Sequence, residues 1–175
     1  MDTWKEFEAN ELTHSAAHHL LAIHDVGLEY GGWARVSDIA RALNITRGSV
    51  SINLRALKKR GWVETDAHRL VKLTASGLQI VRTVMAKRVV LETFFTDVLG
   101  VPRSQAAIDS CKIEHLISHS TGERLALFLR FLASGDAANA ARASRFRRFH
   151  AKCPKSGTCE VCKGQCLVDE MKRAI

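Results

Sequence analysis

The stretch from Val36 to Leu73 constrains the fold most, because it sets two amphipathic helices, a three-residue turn and two β-runs in one order. Val36 to Leu43 has the apolar spacing of a short helix, with Ser37 as its expected N-cap. Asn44-Ile45-Thr46 is a turn, and Thr46 caps a second helix that runs to Arg60 and stops at Gly61. Val50, Leu54 and Leu57 make the core stripe of that helix, while Gly48, Ser51, Ile52, Arg55 and Lys59 occupy its far side. Trp62-Val63-Glu64-Thr65 and Leu70-Val71-Lys72-Leu73 flank a turn at Asp66 to Arg69 and have hairpin character. Helix, short turn, helix, hairpin is the order of a winged helix-turn-helix.

The chemistry of the exposed face fits that fold to DNA. The formal net charge is +8, which favours a polyanionic partner. Thr46, Arg47, Gly48 and Ser49 sit at the start of the second helix, where base edges are met, with Ser51 and Ile52 one turn on. Gly48 permits close backbone approach, Ile52 suits a thymine methyl, and Arg47 or Arg55 suits a guanine edge. Lys58, Lys59, Arg60 and Arg69 are expected on phosphates. A solvated basic helix, or a winged helix used for protein contacts, is the alternative.

The rest of the chain reads as helical. Residues 10–24 form an amphipathic helix with Leu12, Ala16, Leu20 and Ile23 in one stripe, and His19 falls on the same side. Tyr30-Gly31-Gly32-Trp33 is a break. Thr74 to Gly77 opens a long helix from about Leu78 to Leu99, and further helices fit Ser104–Ser118 and Gly122–Leu132. An Arg-rich helix from Asp136 to about Lys152 precedes a Cys-rich tail. The expected fold is mostly α: a winged-helix domain at 1–78, a helical dimerisation and metal-sensing domain at 79–135, and a tail at 136–175. The N-terminus has no apolar signal region and no stretch approaches ~18 apolar residues, so a cytoplasmic chain with no membrane partner is expected. No nucleophile-base pair, phosphate loop or cofactor fingerprint is present, so no enzyme is expected.

Cys111-x-x-Glu114-His115 carries the chemistry. On a continuous helix these three span an arc of about 100°, opposite Ile113, Leu116 and Ile117. Thiolate, carboxylate and imidazole together suit Fe(II), Mn(II) or Zn(II). The competing reading of Cys111 is a small buried hydrophobe.

Ala34-Arg35-Val36-Ser37-Asp38-Ile39-Ala40, Leu73-Thr74-Ala75-Ser76-Gly77, Val84-Met85-Ala86-Lys87 leading to Leu91-Glu92, and Cys111-x-x-Glu114-His115-x-x-Ser118 together resemble the DtxR/MntR family of metal-dependent transcriptional repressors. The similarity covers about residues 10–133. It implies a homodimer on double-stranded operator DNA, with the helices after the wing at the dimer interface. It also implies that metal, Fe(II) or Mn(II), fixes the two recognition helices at operator spacing. Cys111, Glu114 and His115 fall on the family's principal metal positions and Glu92 on a second-site carboxylate. A further ligand comes from the first helix, where His14 and His18 are offered at i, i+4 spacing, and the register does not choose between them. Solvated surface histidines are the alternative. The pattern is interrupted at Arg88, where the family commonly has a ligating histidine, and at Ala107, so one ion per subunit is expected.

Cys153-x5-Cys159-x2-Cys162-x3-Cys166 lies beyond the resemblance. In a reducing cytosol such cysteines are ligands or sensors rather than disulfides. An iron–sulfur cluster is the first expectation, helped by loop glycines and flanking arginines and lysines. Zn(II) and a metal-free thiol switch remain open. Iron–sulfur electron transfer, or an adaptor role on a winged helix that does not bind DNA, is the alternative from another class.

Overall fold

The structure, a computed structural model, describes residues 12–134 together with 141, 144–146 and 148. Cys153, Cys159, Cys162 and Cys166 and most of the Arg-rich segment lie outside the described residues. The order is α1 (His14–Gly27), a 3-10 turn (Leu28–Tyr30), β1 (Trp33–Ala34), α2 (Val36–Leu43), α3 (Arg47–Lys59), β2 (Val63–Thr65) and β3 (Val71–Leu73). Then follow α4 (Ala75–Thr93), a π-helical turn (Phe94–Val98), α5 (Arg103–Ile113) and α6 (His119–Leu132). The chain is mostly helical, with an N-terminal winged helix-turn-helix followed by a helical unit, as expected.

One capping device starts four of the helices. A side-chain oxygen of Thr13, Thr46, Thr74 or Ser118 accepts from the backbone N–H three residues on, at 3.1–3.2 Å. α2 departs from the expected cap. Its N-cap is Arg35, whose carbonyl accepts from Asp38 N and Ile39 N at 3.0 and 3.1 Å. Ser37 therefore lies inside the helix and donates to Asp38 Oδ1 instead.

β2 and β3 form the wing, and β1 adds to β3 to give an antiparallel sheet of order β1-β3-β2. β1 was expected only as a break, since two residues are too short to show alternation. Asp66 organises the wing turn by accepting from His68 N and Leu70 N at 2.9 and 2.7 Å. Arg69 follows with φ at 64°, a left-handed conformation rare for a residue with a Cβ.

The core runs through both parts of the fold. Leu20 and Ile23 of α1, Ile39 of α2, Val50 and Leu57 of α3, Val71 of β3, and Val81 and Val84 of α4 are buried together. α5 and α6 pack on α4, and α1 packs on α2, α3, α4 and the sheet. Gly77 in the first turn of α4 faces the base of the wing, and a Cβ there would overlap the Trp62 carbonyl oxygen. Gly77→Ala is expected to force α4 off the wing and to cost at least about 1–3 kcal/mol, the usual penalty of overpacking a tight site. Urea unfolding checks it, and a midpoint equal to wild type would refute the close packing.

Candidate metal centre and nucleic-acid interface

α1 and α5 meet at a cluster of titratable side chains. Cys111 Sγ, on α5, stands 3.2 Å from His18 Nε2, on α1. His14, one turn before His18, has its ring centroid 4.3 Å from that of His18 and 5.0 Å from that of His115. One donor atom each of His14, His18 and Cys111 lies within 4.8 Å of the other two. Two imidazoles and a thiol this close match the donor set of a borderline divalent ion, so the residues present fit a metal. Burial first, then the charges of His14 and Arg88, hold His18 below an ordinary imidazole, with Glu114 opposing. Burial first, then His14, His18 and Lys87, does the same to His115. A lowered imidazole pKa leaves the ring neutral, the form that coordinates metal.

Cys111, Glu114 and His115 do not share one continuous helix, as the motif suggests. α5 ends at Ile113, and Glu114 and His115 lie in the turn that follows, because Ile113 O accepts from Leu116 N and Ile117 N and Ser118 opens α6. Leu116 is accordingly half-exposed rather than core. Glu114 is fully buried and bound on both oxygens by Arg88, whose Nε donates to Oε2 at 2.6 Å and Nη2 to Oε1 at 2.8 Å. This fork raises the Arg88 pKa further. Arg88 as the partner of Glu114 was not legible, since 26 residues separate them. Glu92 lies elsewhere, in a surface cleft with Thr96, Asp97 and Arg103, although its charge still acts on Arg88. His19 is buried and its Nδ1 donates to Ser15 O at 2.7 Å, a packed residue as expected.

The expected DNA face is exposed on α3 and the wing. Thr46, Arg47, Gly48, Ser49, Arg55, Lys59 and Arg69 are exposed, Ser51 is half-buried, and Ile52 is 65% exposed, high for an isoleucine. Two hydroxyls are already engaged. Ser49 Oγ shares a hydrogen bond with Thr46 Oγ1 at 2.9 Å, and Ser51 Oγ donates to Arg47 O at 2.9 Å. Lys58 Nζ donates to Thr65 Oγ1 at 2.7 Å, which ties α3 to the wing. Sequence reasoning missed Asn53. Its Oδ1 accepts from Ser15 of α1 at 3.2 Å and its Nδ2 donates to Ser49 O at 3.0 Å, so the helix carrying His14 and His18 is hydrogen-bonded to α3. Nothing in the local pattern marks that pair.

A winged helix whose first helix shares a thiol–imidazole cluster with the helices behind it defines a class of metal-dependent regulators. A model described as iron dependent repressor, metal binding and dimerisation domain matches residues 74–136, and one described as MarR family matches residues 11–71. MntR of Bacillus subtilis is 30% identical over 110 residues, covering 63% of this chain and 77% of that one. The iron-dependent repressor IdeR of Mycobacterium tuberculosis is 28% identical over 116 residues, or 66% of this chain and 50% of that one. The crystal structure of T. acidophilum IdeR matches with a TM-score of 0.53 and 26% identity, covering 66% of this chain and 53% of that one. The chain thus spans about half the length of these IdeR relatives. It belongs to the DtxR/MntR family of metal-dependent transcriptional repressors, a family of regulators and not of enzymes.

Proposed function

We propose that this chain is an iron-responsive DNA-binding repressor that acts as a cytoplasmic homodimer on double-stranded operator DNA. The observation that carries the reading is the 3.2 Å approach of Cys111 on α5 to His18 on α1. His14, His18 and Cys111, with His115 beside them, would hold a divalent ion, and Fe(II) suits a mixed imidazole and thiolate set. An ion held there joins α1 to α5 and favours the arrangement in which all its ligands converge. Ser15 then relates the position of α1 to α3 through Asn53. Arg47, Arg55 and Ile52 read bases, and Lys59 and Arg69 meet phosphates. Exposed Val89 and Met85 on α4, Ile108 on α5, and Leu127, Phe128 and Phe131 on α6 support a dimer built from the helices after the wing.

Cys111→Ala tests the reading directly. It removes the thiol at a half-buried position and is expected to abolish metal-stimulated binding to a duplex selected from a random pool, with the far-UV spectrum unchanged. Fluorescence anisotropy during Fe(II) titration under anaerobic conditions measures it. An unchanged metal response would move sensing away from this cluster.

The tail adds a second input in this reading. Cys153, Cys159, Cys162 and Cys166 would hold an iron–sulfur cluster, on the strength of their spacing alone. Anaerobic purification should yield a brown protein with acid-labile sulfide. A colourless protein with one zinc per chain would replace the cluster by a zinc site.

A further inference from the structure

We infer that the centre between α1 and α5 takes its ion through nitrogen and sulfur alone, because Arg88 withdraws Glu114 from it, and that it accepts Fe(II), Co(II) or Zn(II) while discriminating against Mn(II). The inference rests on the repressor reading for the existence of the centre and adds its selectivity.

Arg88 occupies both carboxylate oxygens of Glu114 in a fork at 2.6 and 2.8 Å. The Glu114 side chain is fully buried, so no water stands ready to replace a lost donor. A metal ion that recruited Glu114 would have to displace a guanidinium that stays charged at any working pH. It would also forfeit both charge-assisted hydrogen bonds of the fork and bring a second positive charge beside the guanidinium. Arg88 also acts on His18, and Lys87 on His115, so the cluster is already lined by cations. Among the described residues Glu92, the carboxylate expected at a second ion, lies in the separate cleft beside Arg103.

The donors that remain are the His14 and His18 imidazoles, the Cys111 thiol and the His115 ring next to His14. Mn(II) is the hardest of the first-row divalent ions and stands at the bottom of the affinity series for such sites. It depends on carboxylate, carbonyl and water ligands. Fe(II), Co(II) and Zn(II) all gain from imidazole and thiolate. The internal Arg88–Glu114 pair therefore acts as a selectivity filter as well as a structural contact.

The test uses the full-length chain with Cys153, Cys159, Cys162 and Cys166 changed to serine, which leaves Cys111 as its single thiol. Co(II) is titrated with near-UV and visible absorption, Mn(II) binding is counted by the EPR signal of the free ion, and DNA affinity is read on the same samples. One Co(II) per chain is expected, with a thiolate-to-metal band that Cys111→Ser removes and Glu114→Gln retains. Mn(II) should bind at least about a hundredfold more weakly than Co(II). Mn(II) affinity within about a hundredfold of Co(II) overturns the inference, by the same ordering of affinities. So does a folded Glu114→Gln chain that has lost the Co(II) band. Should Glu114→Gln fail to fold, the Mn(II) to Co(II) ratio of the parent decides alone. If Mn(II) binds as tightly as Co(II) and drives DNA binding, the selectivity is wrong and the repressor reading stands. If the Co(II)–thiolate complex forms and DNA affinity does not respond, the selectivity stands and the repressor reading fails.

Discussion

Arg88→Ala is expected to lower stability by about 3–5 kcal/mol, because it strands a buried carboxylate. Arg88 supplies Glu114 with charge-assisted hydrogen bonds to both oxygens, and the Glu114 side chain has no exposed surface. For a chain of this size that loss corresponds to a fall in Tm of roughly 6–20 °C. The reverse truncation, Glu114→Ala, should cost less. Arg88 keeps 32% of its side chain exposed and can turn its guanidinium toward water, which Glu114 cannot. Replacing both, as in Arg88→Met with Glu114→Leu, should recover most of the loss. What the single variant suffers is an uncompensated charge rather than a lost attraction, and a close-packed apolar pair carries no such charge. Thermal and urea melts of the three variants at pH 7 decide the matter. An Arg88→Ala chain that melts within about 2 °C of wild type, less than 1 kcal/mol on this scale, would mean that Glu114 has found water or a proton.

The same pair marks the boundary of what the sequence discloses. Thr46, Gly61 and the apolar stripe of Val50, Leu54 and Leu57 act locally, through hydrogen bonds three residues apart or helical spacing. The helix-turn-helix and its wing are therefore legible from composition and order. The C-x-x-E-H motif is read as one helical face, and the chain breaks inside it. A continuous helix would have carried all three on one face, yet α5 stops at Ile113. The signal was present in Ser118, which accepts from Thr121 N as the cap of α6 and so requires a break just before it. Read as the end of the preceding helix, the same serine conceals that break. The Arg88–Glu114 fork and the Ser15–Asn53 hydrogen bond join residues 26 and 38 apart. No local pattern encodes either, because any arginine or asparagine on a helix surface looks the same until the helices pack.

The steepest expected dependence is that of DNA binding on salt. Arg47, Arg55, Lys59 and Arg69 are exposed on α3 and the wing, whereas Lys58 is held to Thr65 and Arg60 lies over the Trp62 ring at 4.9 Å. With Arg47 and Arg55 reading bases and Lys59 and Arg69 on phosphates, a dimer neutralises on the order of four phosphates. Affinity should then fall about a hundredfold between 50 and 200 mM salt, through release of condensed counterions. Arg69 offers the cleanest check. Its φ of 64° is costly for a side chain with a Cβ, so Arg69→Ala would mix lost charge with an unchanged backbone strain. Arg69→Gly removes the charge and fits that conformation, and the wing turn stays organised by Asp66. The expected result is a wing that folds at least as well, with the slope of log affinity against log salt reduced by about 1 per protomer. Ile52→Ala should instead leave the slope alone and weaken preference for one thymine-bearing sequence, because an apolar contact releases no counterion. A slope unchanged in Arg69→Gly would place the wing away from DNA, and a flat wild-type slope would remove the basic face of α3 from the interface altogether.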